Sequence, residues 1–144
     1  LGMAARLGIL ILETRFPRIL GDIGNPETWP FPILYKTVSG ASSQRVVVER
    51  GRGLIGPFLQ AARELEAEGA DGIATSCGFL SLFQDELAAH VGVPVATSSL
   101  MQIPLIERLL PAGKRVGIRT RLIASSVAGN RKLLARLGMR AVRA

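Results

Sequence analysis

Gly69-Ala-Asp-Gly-Ile-Ala-Thr-Ser-Cys-Gly-Phe-Leu80 is the stretch that decides how this chain folds. Ile73 to Thr75 form an apolar, strand-like run, and a helix-like run opens at about Phe79. Cys77, the sole cysteine, stands at the corner between them. The first amides of a helix have no acceptor within it, and the helix dipole is positive there. The corner is therefore expected to favour a thiolate. A thiolate can serve as a nucleophile, a metal ligand or a base toward a carbon acid. A buried structural cysteine is the competing reading, because free cysteines are among the most buried residue types.

The flanking segments repeat the same alternation. Leu7 to Leu12 reads as a buried strand. Residues 13–32, ETRFPRILGDIGNPETWPFP, form a long loop with turn signals at Gly21-Asp22 and Asn25-Pro26. Ile33 to Val38 is a second strand, and Arg45 to Val48 reads as a shorter extended piece. Leu54 to Glu68 is helical, with Leu54, Ile55, Phe58, Ala62 and Leu65 on one face and Gly69 as its stop. After the cysteine corner a helix runs from Phe79 to about His90. Val93 to Ala96 is a short strand, and a helix bent at Pro104 spans about Ser99 to Leu110. Arg115 to Ile118 reads as a strand and Ile123 to Leu137 as a helix. Strands alternating with helices at this spacing predict an α/β fold: an open parallel sheet with helices on both faces.

The 144 residues suffice for one domain with a real core, and 48% hydrophobic with 20% charged residues fits a globular protein. No apolar stretch is long enough to span a membrane, and no signal peptide is read at the start. One cysteine excludes an internal disulfide and points to a reducing, cytoplasmic setting. One histidine and one cysteine cannot build a Cys/His zinc cluster, so no metal is expected. The net charge of +7 is uneven: residues 1–107 sum to −3, whereas residues 108–144 carry 10 basic and no acidic side chains. That tail has no aromatic residue for base stacking, so a nucleic-acid partner is not expected.

Two features invite other readings and do not sustain them. Gly51-Arg-Gly-Leu-Ile-Gly56 is a literal G-x-G-x-x-G, and Asp71 lies 20 positions after Gly51. In a dinucleotide site the acid ends its strand; Asp71 begins one, so no cofactor is expected. His90 ends the helix after Cys77, about 15–18 Å away at about 1.5 Å per residue. It is placed to cap that helix, not to act as the base of a Cys/His pair.

Open parallel sheets bind ligands outside the carboxyl ends of their strands. Thr75, Ser76, Ser98 and Ser99 fall there, where hydroxyls and helix amides can hold a carboxylate. Asp22 and Asn25 are expected to project over the same edge. Ordinary capping and turn formation compete with binding for each of these residues.

Taken together, the first strand followed by GDIGNPETWPFP, then GADGIATSCGFL, VPVATSSL and GKRVGIRT, resemble the aspartate/glutamate/hydantoin racemase superfamily. The resemblance implies two similar α/β halves facing a cleft, and cofactor-independent chemistry at the carbon next to a carboxylate. A cysteine from each half serves as acid or base, because inversion needs proton transfer on opposite faces of one carbon. Cys77 matches the first of these cysteines, Gly78 and Phe79 the amides after it, and Ser98 and Ser99 the hydroxyl corner. A small carboxylic acid is the implied substrate. Residues 1–111 correspond to the first half and 112–144 to an incomplete start of the second, which leaves the second thiol unmatched. A homo-oligomer or a missing second half would then complete the cleft. Superfamily relatives that decarboxylate malonates or isomerise maleate, and a carboxylate-binding fragment without chemistry, are the alternatives.

Overall fold

A computed structural model of the chain describes residues 5–117. Its centre is β1 (Leu7–Leu12), flanked by β2 (Ile33–Val38) and β3 (Gly72–Thr75), with β4 (Val95–Ala96) outside β3. All neighbours are parallel, in the order β2-β1-β3-β4. The architecture is thus an α/β open parallel sheet with helices, as the alternation of elements predicts.

Helix α2 (Ile55–Ala67) covers one face of the sheet. Its buried residues Phe58, Ala61, Ala62 and Leu65 follow helical spacing. They pack with Leu10, Leu12, Val38, Ile73 and Val95, the strand side chains on that face. Lys36 also points toward α2 and pairs with Glu64 and Glu68. The adjacent Tyr35 points the other way, and its hydroxyl donates to the carbonyl of Ile23 over 3.1 Å. Alternation along β2 therefore places the 13–32 loop across the opposite face.

Several expected elements differ in detail. The extended piece at Arg45–Val48 is instead part of a short helix, α1 (Ser43–Val47). Ser42 caps it by accepting from the Arg45 amide, and that capping outweighs the β preference of the valines. The helix after Cys77 begins as a 3₁₀ segment, Gly78–Phe83, and becomes α3 only at Gln84–His90. The next one is likewise divided, into a 3₁₀ turn at Ser99–Gln102 and α4 (Ile103–Leu109). Pro104 lies in the first turn of α4, where its missing N–H costs nothing. His90 does not close α3 as a cap; its Nε2 accepts from Arg63 Nε over 2.9 Å, linking α3 to α2. Arg115 to Gly117 belong to no regular element. The remainder of that expected strand, the 123–137 helix and nearly all of the 112–144 unit lie outside the described residues.

Among the described residues, no helix is long and apolar enough to cross a membrane.

Candidate functional site

Parallel strands bring their carboxyl ends to one edge, so the corners after β3 and β4 are neighbours. At the first, Cys77 is the N-cap of the Gly78–Phe83 segment, with extended backbone angles (φ −137°, ψ 112°). Its side chain is half-buried and packs against the core. The Phe79 and Leu80 amides beside the thiol act to lower its pKa, and the Leu80 amide donates to the Cys77 carbonyl over 3.0 Å. Burial opposes them and is the larger effect, so the net shift is upward. This corrects the expectation of a thiolate-favouring corner: two amides do not offset the loss of water around the sulfur, and a 3₁₀ segment of six residues has little macrodipole to add. Cys77 therefore rests as a protonated thiol at the start of the 3₁₀ segment.

The second corner holds Ser98, the N-cap of the Ser99–Gln102 turn, whose hydroxyl oxygen accepts from the Leu100 amide over 3.2 Å. The two corners touch. A Cβ on Gly78 would sit 3.2 Å from Ser98 Oγ, so glycine there lets them close up. A Gly78→Ala variant should displace the Ser98 hydroxyl and weaken its cap. A fall in thermal stability smaller than that of a core cavity mutant, read by circular dichroism, checks this.

The other expected binding residues divide by what their side chains already do. The Ser76 oxygen accepts from the Leu12 amide over 3.4 Å, and its own proton has no acceptor among the described residues. Ser98 likewise keeps its proton to donate. Ser99 and Gly78 are exposed at the edge, and Phe79 is partly buried against the core. Thr75 is buried and donates to the carbonyls of Thr97 (2.7 Å) and Cys77 (3.1 Å). The groups open to an anion are thus Ser76, Ser98, Ser99 and the backbone at Gly78.

Asp22 and Asn25 are turned into their own loop. Arg18 donates to Asp22 Oδ1 over 2.8 Å and to Thr14 Oγ1 over 3.1 Å, and lies 4.9 Å from the Phe16 ring centre. Asn25 donates to the Arg18 carbonyl and accepts from the Glu27 amide. The Arg18 contact, then the Gly24 amide, hold the Asp22 carboxyl below the ordinary carboxylate range. A lowered carboxyl stabilises the folded loop at neutral pH, and that contribution fades as pH falls below the ordinary carboxylate value. Arg18→Met should therefore open residues 13–32 to protease several-fold faster at pH 7. Cleavage rates of both proteins, measured from pH 7 downward, check this: the difference between them should persist to the ordinary carboxylate value and shrink only below it.

Gln84 and Thr97 were not singled out by sequence reasoning. Thr97 is fully buried, and both its amide and its hydroxyl donate to Gln84 Oε1, over 3.0 and 2.7 Å. Gln84 Nε2 donates in turn to the Val95 carbonyl over 2.9 Å. The available signal was a lone carboxamide at the start of a helix beside a strand-end threonine, which spacing alone does not connect.

Among the described residues, no group of three or more His, Cys, Asp or Glu could hold a metal ion. One cleft, of about 520 Å³, is lined by Ala5, Arg6, Leu7, Phe31, Asp71 and Gly72 at the opposite, amino edge of the sheet. Edge chemistry and not cavity size marks the cysteine corner as the candidate site.

No family model matches the chain. It is similar to dimethylsulfoniopropionate lyase 7 of Emiliania huxleyi (strain CCMP1516), 30% identical over 117 residues, which is 79% of this chain and 34% of that protein. It is 28% identical over 120 residues to the dimethylsulfoniopropionate lyase of Durusdinium sp. clade D, covering 79% and 38%. Dimethylsulfoniopropionate lyase 2 of Emiliania huxleyi is 30% identical over 139 residues, covering 88% and 38%. The chain spans about a third of the length of these curated relatives. Among solved structures it resembles an aspartate racemase homologue from Pyrococcus horikoshii OT3, with a TM-score of 0.53 over 96% of this chain and 64% of that one, at 18% identity. The parallel sheet is therefore that of an aspartate-racemase-like α/β fold.

Proposed function

We propose that this chain supplies one wall of a lyase site, on which Cys77 removes the proton from the carbon beside a carboxylate while a β-sulfonium group departs. The substrate class is a small carboxylic acid of the dimethylsulfoniopropionate kind. The observation that carries the reading is the Cys77 thiol at the N-cap of the 3₁₀ segment, on the sheet edge where Gly78 meets the Ser98 hydroxyl. The curated relatives, all lyases acting on that substrate by their names, support the choice of reaction.

Atoms and electrons balance on a single base. The thiolate takes the α-proton, and the C–H electron pair becomes the new carbon–carbon π bond. The bond from the β-carbon to sulfur breaks, and its pair stays on sulfur as a neutral sulfide. An unsaturated carboxylate remains, and Cys77 returns its proton to water. Ser76, Ser98, Ser99 and the Gly78 backbone hold the substrate carboxylate, where negative charge builds as the proton leaves. Elimination needs one proton transfer at carbon, which a single thiol such as Cys77 can perform. Racemisation is the second reading, favoured by the fold of the aspartate racemase homologue; it adds a proton donor on the opposite face.

The test is incubation of the chain with dimethylsulfoniopropionate in D2O, with sulfide measured in the headspace and α-deuteration by NMR. Cys77-dependent sulfide release supports the lyase reading. Deuterium entering an amino acid offered in parallel, without sulfide release, supports the racemase reading instead. Neither signal above a Cys77→Ala control would overturn both.

A further inference from the structure

The geometry points to Gln84, Thr97 and Thr75 as positioning residues that hold the Cys77 turn and the Ser98 turn in one fixed relation. The three side chains form a continuous relay between the two corners. Gln84 sits at the start of α3, fixed by its donation to the Val95 carbonyl. Its oxygen takes both donors of Thr97. The Thr97 carbonyl is the nearer acceptor of the Thr75 hydroxyl, at 2.7 Å, and the Cys77 carbonyl is the farther, at 3.1 Å. One hydroxyl proton thus straddles the residue before Ser98 and the cysteine itself.

Each member is committed. Thr97 is fully buried and Thr75 is 8% exposed, so water cannot readily replace a lost partner. The relay also starts and ends on the same piece of chain. Gln84 follows directly on Phe83, the last residue of the 3₁₀ segment that Cys77 opens. The loop from Cys77 through Phe79 and Leu80 to Gln84 is therefore clamped at both ends onto β4. That clamp fixes the Cys77 backbone and the turn after it, and it keeps Gly78 against Ser98 Oγ. Thr75 accordingly acts through Cys77 and not by touching substrate.

This inference takes from the proposed function only the importance of Cys77, so its test reads the thiol and not turnover. The pH dependence of Cys77 alkylation by iodoacetamide is measured on the full chain as wild type, Thr75→Val, Thr75→Ser and Gln84→Met. Thr75→Val keeps the shape of threonine and removes the shared proton. Alkylation at pH 8 should fall about fivefold as the turn that places the thiol loosens, and Thr75→Ser should restore it. Gln84→Met should shift the profile in the same direction by a comparable factor. A role confined to stability would lower the unfolding temperature and leave the profiles superimposed, which would overturn the inference. If Thr75→Val does not fold, an unmoved profile in folded Gln84→Met overturns it equally. Absence of sulfide release from the wild type, with the profiles shifted in the variants, would count against the lyase reading alone.

Discussion

Raising the pH from 7 to 8.5 should speed any α-proton removal by this chain about thirtyfold, one decade per pH unit, because the reactive species is the thiolate. The cause is the burial that pushes the Cys77 thiol above its ordinary value despite the Phe79 and Leu80 amides. Below that raised pKa the thiolate is a small fraction that grows tenfold per unit. A base already ionised at neutral pH would give a flat profile over the same range. Cys77→Ser should cost at least about a hundredfold at pH 8.5 and remove the slope, since a serine hydroxyl does not ionise there and general-base catalysis is worth about 10²–10⁴. The same shift has a stability consequence of opposite sense. A thiol whose folded pKa is raised favours the folded state while it is protonated, and that contribution is lost as pH rises through the folded pKa. Activity should therefore climb with pH while the unfolding temperature falls, and both trends should vanish in Cys77→Ala. Initial rates of sulfide release and thermal melts at matched pH between 7 and 10 measure the two. A flat rate profile in the wild type would sink the thiolate-base mechanism.

The features legible in the sequence were those set by local periodicity. The four strands and α2 follow from apolar runs and helical spacing, and Cys77 at a strand end follows from its place in GADGIATSCGFL. What escaped was decided by partners distant in sequence. Nothing around Thr75 says that its hydroxyl reaches Thr97, 22 residues on. Nothing in the loop says that Arg18 draws Asp22 and Asn25 inward, because the same residues form turns whether or not a ligand lies above them. The thiol pKa was misjudged for a related reason. The helix-start amides are a local feature and were foreseen, whereas the apolar neighbours that desolvate the sulfur come from the packed core.

Phe58→Ala should reduce the stability of the fold by about 3–5 kcal/mol, a large part of the roughly 5–15 kcal/mol typical of a domain. Phe58 is fully buried on α2, and its ring lies 5.7 Å from that of Phe83, tilted by 47°. The truncation removes ring contacts and leaves a cavity that the rigid sheet behind cannot fill. Phe58→Leu keeps most of the volume and should cost clearly less, about 1–2 kcal/mol. The consequence reaches the site, because Phe83 ends the 3₁₀ segment that Cys77 begins. Gly51, in the left-handed region at φ +65°, already brings its backbone close to the Phe83 ring: an added Cβ would lie 2.7 Å from Cζ. The ring is thus held between Phe58 on α2 and Gly51 in the turn before it, and removing one support lets it move. Urea titration gives the stability loss, and Cys77 alkylation in the folded baseline gives the local effect. Phe58→Ala should alkylate faster than wild type as water gains the sulfur, with Phe58→Leu between them. A stability loss under about 1 kcal/mol would show that the Phe58–Phe83 pair is not the pillar of the core, and an unchanged alkylation rate would separate that core from the cysteine corner.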